Sequence, residues 1–347
     1  MLSYVIRRLA ALIPILIGVT LLAFIVSHAL PGDPARQYAG INASDAQVEA
    51  IRARLGLDRS LPQQYCIYMI GDTCLGGSGK GGLLRGDLGD SIRTGFSVAE
   101  DVGARLPATL EMVAAGMLFA LVVALPLGVW AAVRKGKLLD KFCRFISTLG
   151  VAVPDFWLAM ILLLVFFIVL EWLPGPVGRL PIGATTPDGP TGLYVIDSLV
   201  AGDWETFRTA LKHLLLPMVA IGFPAVSPIL RLTRNATLSV LNSDYIAFGR
   251  AAGLRGAPLY LKYVLRNALP GAVTMTGLIA GYMIGGAVLV ERVFSWPGVG
   301  LYGFNSLVNT DYPAIQAYVL LSAVTYTVAF LIVDLVQSLI DPRVRLK

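Results

Sequence analysis

The chain has 347 residues, 56% of them hydrophobic and only 14% charged, with a mean hydropathy of +0.71 and a formal net charge of +6. Average soluble domains carry about 25% charged residues, so this composition excludes a soluble enzyme and indicates an all-α, multi-pass membrane protein. Three cysteines and two histidines, none in a C-x-x-C or H-x-x-x-H spacing, argue against a metal centre.

Apolar runs of the length needed to cross about 30 Å of hydrocarbon predict six transmembrane helices, at about 9–29, 106–132, 145–173, 212–232, 268–290 and 313–338. The organisation expected is an N-terminal helix (1–30), a polar region (31–104), a five-helix core (105–342) and a tail (343–347). Within the core, 174–211 forms a second polar loop and 236–267 a basic one. Arg7 and Arg8 precede the first span as in a signal peptide. Its apolar run is about twice the usual 7–15 residues and no clean cleavage site follows, so it reads as a retained span.

In the first polar region Cys66 and Cys74 share one loop. They would pair in an oxidising compartment, and free thiols are the alternative. Cys143, at a membrane boundary, reads as packed. "LGGSGKGG" (75–82) looks like a phosphate loop but has Cys74 in place of the first glycine and Gly81 where Ser or Thr must hold magnesium. Ser78 is no protease nucleophile in such a loop. His28 and His213, at the outer ends of spans, read as interfacial polar tips rather than bases. No residue is assigned a catalytic role.

Glu111 and Glu171 lie near span ends and are expected to snorkel to the interface. Phe142 to Trp172 would extend roughly 46 Å as one helix, longer than the bilayer core, so Pro154 is expected to divide it. Asp155 then either caps the second segment or lines a pathway at its mouth, the cap being the preferred reading. Asp334 is expected to face the bundle. Pro217, Pro224 and Pro228 in the fourth span and Gly281, Gly285 and Gly286 in the fifth serve packing in the ordinary reading. Their density also suits helices kinked around a central path, which makes Asp155, Pro224, Gly281 and Gly285 the pathway candidates.

Lys and Arg cluster on one face: Arg7, Arg8, Arg134 to Arg144, Arg231, Arg234, Arg250 to Arg266 and Arg343 to Lys347. Most carboxylates fall on the other. The positive-inside bias therefore makes both termini and the 236–267 loop cytosolic. The same bias explains the net charge without nucleic acid, since every dense basic cluster sits at a membrane edge.

The cytosolic stretch "DYIAFGRAAGLRGAPLYLKYVLRNALP" (244–270) reads as two short helices separated by Gly253 to Pro258. Tyr245, Ile246, Phe248, Leu254, Leu259 and Leu261 exceed what a solvated loop needs and suit docking into a groove of another protein. This stretch resembles the coupling-loop signature of binding-protein-dependent ABC importers. "RRLAALIPILIGVTLLAFIVSHALPGDP" (7–34), "LGLDRSLPQQY" (55–65), "GLLRGDLGDSIRTGFSV" (82–98), "RLPATLEM" (105–112), "LPLGVWAAVRKGKLLDKF" (125–142), "ERVFSWPGVG" (291–300), "TDYPAIQA" (310–317) and "IVDLVQSLIDPRVR" (332–345) extend the resemblance. It covers nearly the whole chain and is to the dipeptide, oligopeptide and nickel permeases, most of all the first of the two permeases of a dipeptide importer.

That resemblance implies a type I ABC importer permease fold in a bacterial inner membrane. It implies a homologous second permease, two cytosolic ATPases that bind ATP and magnesium, a periplasmic solute-binding protein and surrounding lipid. The chain itself would carry no cofactor. Asp244 to Gly253 would be the coupling helix, with Asp244, Tyr245, Ala247, Phe248, Gly249, Arg250, Ala251, Gly253 and Leu254 as ATPase-facing residues. Ala247, Phe248 and Gly249 stand at the family triplet, whose first position is often acidic in the wider superfamily and is not here. The stretch 66–81 is longer than the family pattern leads one to expect. Dipeptides or short oligopeptides are the expected cargo, with a nickel chelate as the alternative. An ion-coupled secondary transporter, the alternative from another class, would want inverted repeats and midplane charge, and neither is evident.

Overall fold

The computed structural model describes residues 2–29, 33–40, 42–75, 77, 81–254, 256 and 259–340, and their side chains except at 2–12, 27, 29, 75, 261, 334 and 338–340. Ser78, Lys80, Arg255 and the residues from Asp341 onward lie outside the described residues, as do the side chains of Arg7, Arg8, Leu261 and Asp334. The helices are α1 (Leu2–Ala29), α2 (Pro34–Ala39), α3 (Asp45–Arg54), α4 (Leu61–Ile70), α5 (Val98–Val133), α6 (Leu138–Ala152), α7 (Asp155–Leu163), α8 (Tyr194–Ala201), α9 (Trp204–Leu241), α10 (Asp244–Ala251), α11 (Arg266–Phe294), α12 (Val299–Val308) and α13 (Tyr312–Ile340). Two π-helical turns, Leu164–Val169 and Leu259–Leu265, follow α7 and lead into α11. Among the described residues the only β-pairing is an isolated bridge between Asp90 and Ser97.

Four helical stretches are long and apolar enough to cross a membrane: Val98–Val133, Trp204–Leu241, Lys262–Phe294 and Tyr312–Gln337. The expected span 145–173 is instead a pair of segments, Leu138–Ala152 and Asp155–Val169, bent by 103° where Pro154 cannot continue the helix. The expected span 9–29 lies in α1, whose described apolar part is Ile13–Val26. By contrast α9 continues as one helix through Pro217, Pro224 and Pro228, so the break falls at the single proline of another segment and not where prolines are densest. Packing explains this: fifteen residues of α9, Pro217 among them, are buried, and neighbours hold the backbone that proline weakens.

Local chemistry sets the helix ends. Asp203 caps α9 by accepting the Thr206 N–H at 3.0 Å. Ser44 and Gln47 form a reciprocal capping box at the start of α3.

The chain divides into two compact units. The larger comprises Met1–Arg8, Pro107–Gly298 and Thr325–Lys347. Its core gathers small and branched residues such as Ala120, Ala124, Ile221, Val226, Ile229, Ala287 and Val290 around α9. The smaller unit comprises Leu9–Leu106 and Val299–Val324. Here Val98, Val102, Val299, Tyr302, Ala314 and Ala317 make a core, and Asp311 accepts from the Ser91 hydroxyl at 2.5 Å and the Ile92 N–H at 3.2 Å. In this unit Cys66 and Cys74 are joined by a disulfide with Cα atoms 5.9 Å apart, while Cys143, in the larger unit, is free and buried.

Candidate functional site

Ser243 ends the turn after α9 in an extended conformation, and α10 begins at Asp244. The helix is short because Gly253 (φ +87°) takes a left-handed conformation that any other residue adopts only under strain. The Gly253 N–H donates to Arg250 O at 3.1 Å and the Leu254 N–H to Gly249 O at 2.9 Å, a Schellman closure that satisfies two terminal carbonyls. The sequence expected a helix to Gly253, and the closure ends it at Ala251.

Two faces result. Ile246 (1% exposed) and Gly249 point inward, and Ile246 packs with Leu259 and Val264 against Val240, Leu241, Leu254 and Tyr260. Asp244, Tyr245, Ala247, Phe248, Arg250 and Ala251 face outward, Phe248 at 76% exposure. A Cβ at Gly249 would meet Leu254 Cδ1 at 3.4 Å and Leu259 Cδ1 at 3.9 Å, ordinary contact distances, so nothing within the chain demands glycine there. The second short helix expected in this loop is the π-turn Leu259–Leu265, which runs directly into α11.

Of the pathway candidates, the structure brings together Asp155 and Pro224. Both line a cavity of about 230 Å³ with Ile221, Ala225, Tyr282 and Met283, between the start of α7 and the middles of α9 and α11. Asp155 is the first helical residue of α7, not its cap; Pro154 holds that position, and Asp155 Oδ1 accepts the Phe156 N–H at 2.8 Å. A Cβ at Gly286 would lie 2.9 Å from Asp155 Oδ2, so α11 approaches this carboxylate at a glycine. Gly281 does not line that cavity; it faces the Tyr326 ring, which a side chain there would strike, so α11 and α13 approach closely at this glycine. Gly285 has open space beside it and does not belong to that cavity's lining.

A polar cluster that sequence reasoning missed lies in the same unit. Glu111, expected to snorkel, is buried and ion-paired instead. Its Oε2 accepts from Arg179 Nη2 at 2.6 Å and Nε at 3.1 Å, and its Oε1 from the Val195 N–H at 2.8 Å. Arg179 also donates to Gly192 O at 2.8 Å and lies over the Tyr194 ring at 3.4 Å. One layer away, fully buried Glu291 accepts from the Thr109 hydroxyl at 2.5 Å, and Trp296 donates its indole N–H to Ala108 O at 2.8 Å. Gly298 lets the backbone pass against the Glu291 carboxylate, where a side chain would collide. The "ERVFSWPG" run is thus a packing device. His213 is likewise buried, its Nδ1 2.8 Å from Thr209 O, rather than an exposed tip. The signal available in sequence was an arginine in a loop poor in basic residues; the partner 68 residues away carried none.

Comparison with known proteins matches residues 124–346 to the family described as binding-protein-dependent transport system inner membrane component, and residues 1–113 to the N-terminal part of such membrane components. The chain is 40% identical over 338 residues to the probable D,D-dipeptide transport system permease protein DdpB of Escherichia coli K12, covering 97% of this chain and 96% of that one. It is 38% identical to the dipeptide transport system permease protein DppB of Alkalihalophilus pseudofirmus, over 99% and 100% of the two chains. The glutathione transport system permease protein GsiC of Pectobacterium atrosepticum is 34% identical over the full length of both.

Proposed function

The chain belongs to the binding-protein-dependent transport system inner membrane components, and from that premise we propose that it is the permease subunit of an ATP-driven importer of dipeptides or short oligopeptides. The reading includes a bacterial inner-membrane location with both termini cytosolic, six spans, a homologous second permease, two cytosolic ATPases that hold ATP and magnesium, and a periplasmic solute-binding protein. The polar regions 31–104 and 174–211 then face the periplasm.

The observation that carries the coupling part of this reading is α10. Its inner seam, Ile246 and Gly249, fixes it to the permease, while Phe248 projects a large apolar surface that nothing among the described residues covers. Aromatic side chains seated in a partner's pocket dominate binding energies. An ATPase that contacts α10 differently with and without ATP shifts the permease between its two openings; equal contact in both states would shift nothing. Because the Leu259–Leu265 turn joins α11 without a break, α10 is connected through it to the helix that borders the Asp155–Pro224 cavity. Alternating access of that cavity is the mechanism proposed.

The test is reconstitution. The tagged chain is expected to bring ATPase subunits and the second permease through purification, and proteoliposomes of the assembly with its binding protein to take up labelled dipeptide only when ATP is enclosed with the ATPases. Dipeptide uptake at the full rate by this polypeptide alone, or labelling from the periplasmic side of a cysteine placed at Ala247, would overturn the proposal.

A further inference from the structure

On α6 the side turned away from the core carries Leu138, Phe142 and Phe145, at 85, 56 and 59% exposure and spaced four and three residues apart. Lys141, Arg144 and Thr148 run beside this apolar stripe. A cavity of about 250 Å³ opens next to it between α6 and α9, lined by Arg144, Ser147, Thr148, Leu230, Arg231 and Arg234.

Its polar groups are unequally used. Arg234 commits Nε and Nη2 to Asp140, at 2.6 and 2.9 Å, and reaches Asn235 with Nη1 only at 3.4 Å. The Ser147 hydroxyl donates to Ser227 O and that of Thr148 to Arg144 O, at 3.1 and 3.0 Å. The guanidinium groups of Arg144 and Arg231 have no acceptor among the described residues. Three guanidiniums against one carboxylate leave a surplus of two positive charges, and the unused donors are planar N–H forks. That is the chemistry of a phosphate site. A topological bias alone would put arginines near a helix end; it would not gather two unpaired ones in a shared cavity beside exposed phenyl rings.

We propose that this cavity holds the phosphodiester headgroup of an anionic phospholipid, whose acyl chains lie along Leu138, Phe142 and Phe145. Phosphate and hydrocarbon are then recognised by adjacent parts of one amphipathic helix. The assignment to the inner leaflet rests on the orientation proposed above; the binding itself does not.

The assembled transporter and its Arg144→Gln/Arg231→Gln variant are purified in mild detergent, and bound phospholipid is counted by mass spectrometry. Both are then placed in nanodiscs of phosphatidylcholine alone or with phosphatidylglycerol. Phosphatidylglycerol is expected to stay with the wild type and raise its melting temperature, and to bind roughly thirtyfold more weakly to the double variant. Arg208→Gln, distant on α9, should leave retention unchanged. If the double variant fails to assemble, Arg144→Lys/Arg231→Lys keeps the charge, loses the fork and should fall between the two. Equal retention by wild type and variant, or retention by neither, overturns the site. Protection by glycerol 3-phosphate equal to that by lipid overturns the lipid assignment in favour of a free phosphate ester. Dipeptide uptake measured on the same samples separates this proposal from the transport reading, since either can fail while the other stands.

Discussion

Around Arg179 the chain closes on itself, with Glu111, Gly192 O and the Tyr194 ring all engaged within 3.4 Å, whereas α10 turns Ile246 and the backbone of Gly249 inward and leaves Phe248 uncovered. Both regions place charge or apolar bulk where a membrane protein's own helices do not ordinarily leave it. The first resolves internally: a buried ion pair is tolerated because its lone pairs and protons find partners. The second does not resolve among the described residues, and on the coupling reading proposed above a partner supplies the missing contacts. Residues that look alike in sequence are therefore sorted by whether the chain itself completes their contacts.

Substitutions can break or sharpen this contrast. The largest effect is expected from Arg179→Met, which strands the Glu111 carboxylate and should cost about 3–5 kcal/mol. Membrane abundance and thermal unfolding of the detergent-solubilised chain would report it, and normal abundance would show that the pair is not needed. Next comes Ile246→Ala, a loss of about 2–5 kcal/mol confined to the α10 seam. Faster hydrogen exchange over 244–254 with unchanged exchange in α9 is the expected signature. Phe248→Asp should behave oppositely, with stability altered by less than about 0.5 kcal/mol. Dipeptide uptake should nonetheless drop by roughly thirtyfold, as when an interface anchor is lost. Loss of folding in this variant would place Phe248 in a core instead. The smallest change is Gly249→Ala, which should gain about 1 kcal/mol of helix propensity, since the seam has room for a methyl group. If uptake nevertheless falls, a partner packs against that backbone.

Much of this was legible beforehand. Long apolar runs dictate α5, α9, α11 and α13, and the bend before Asp155 follows from an overlong segment with Pro154 in it. The Gly253 turn was readable because glycine punctuates a helical pattern. What escaped was pairing at a distance. Glu111 looked like an interfacial carboxylate because local sequence holds no trace of Arg179. The close approach of Tyr326 to Gly281 escaped too, because the two come from different helices. Nor could proline count alone locate the break: three prolines in α9 are held by a buried surround, while Pro154 lies exposed at the bend.

The uninterrupted course of α9 has a mechanical corollary. Its 38 residues extend about 57 Å, nearly twice the thickness of the hydrocarbon layer. Moving as one body, a helix of that length that pivots near its midpoint by about 10° carries each tip through roughly 5 Å, in opposite directions. Under the alternating access proposed above, a modest rocking about an axis in the plane of the bilayer would widen the opening on one side as it narrows that on the other.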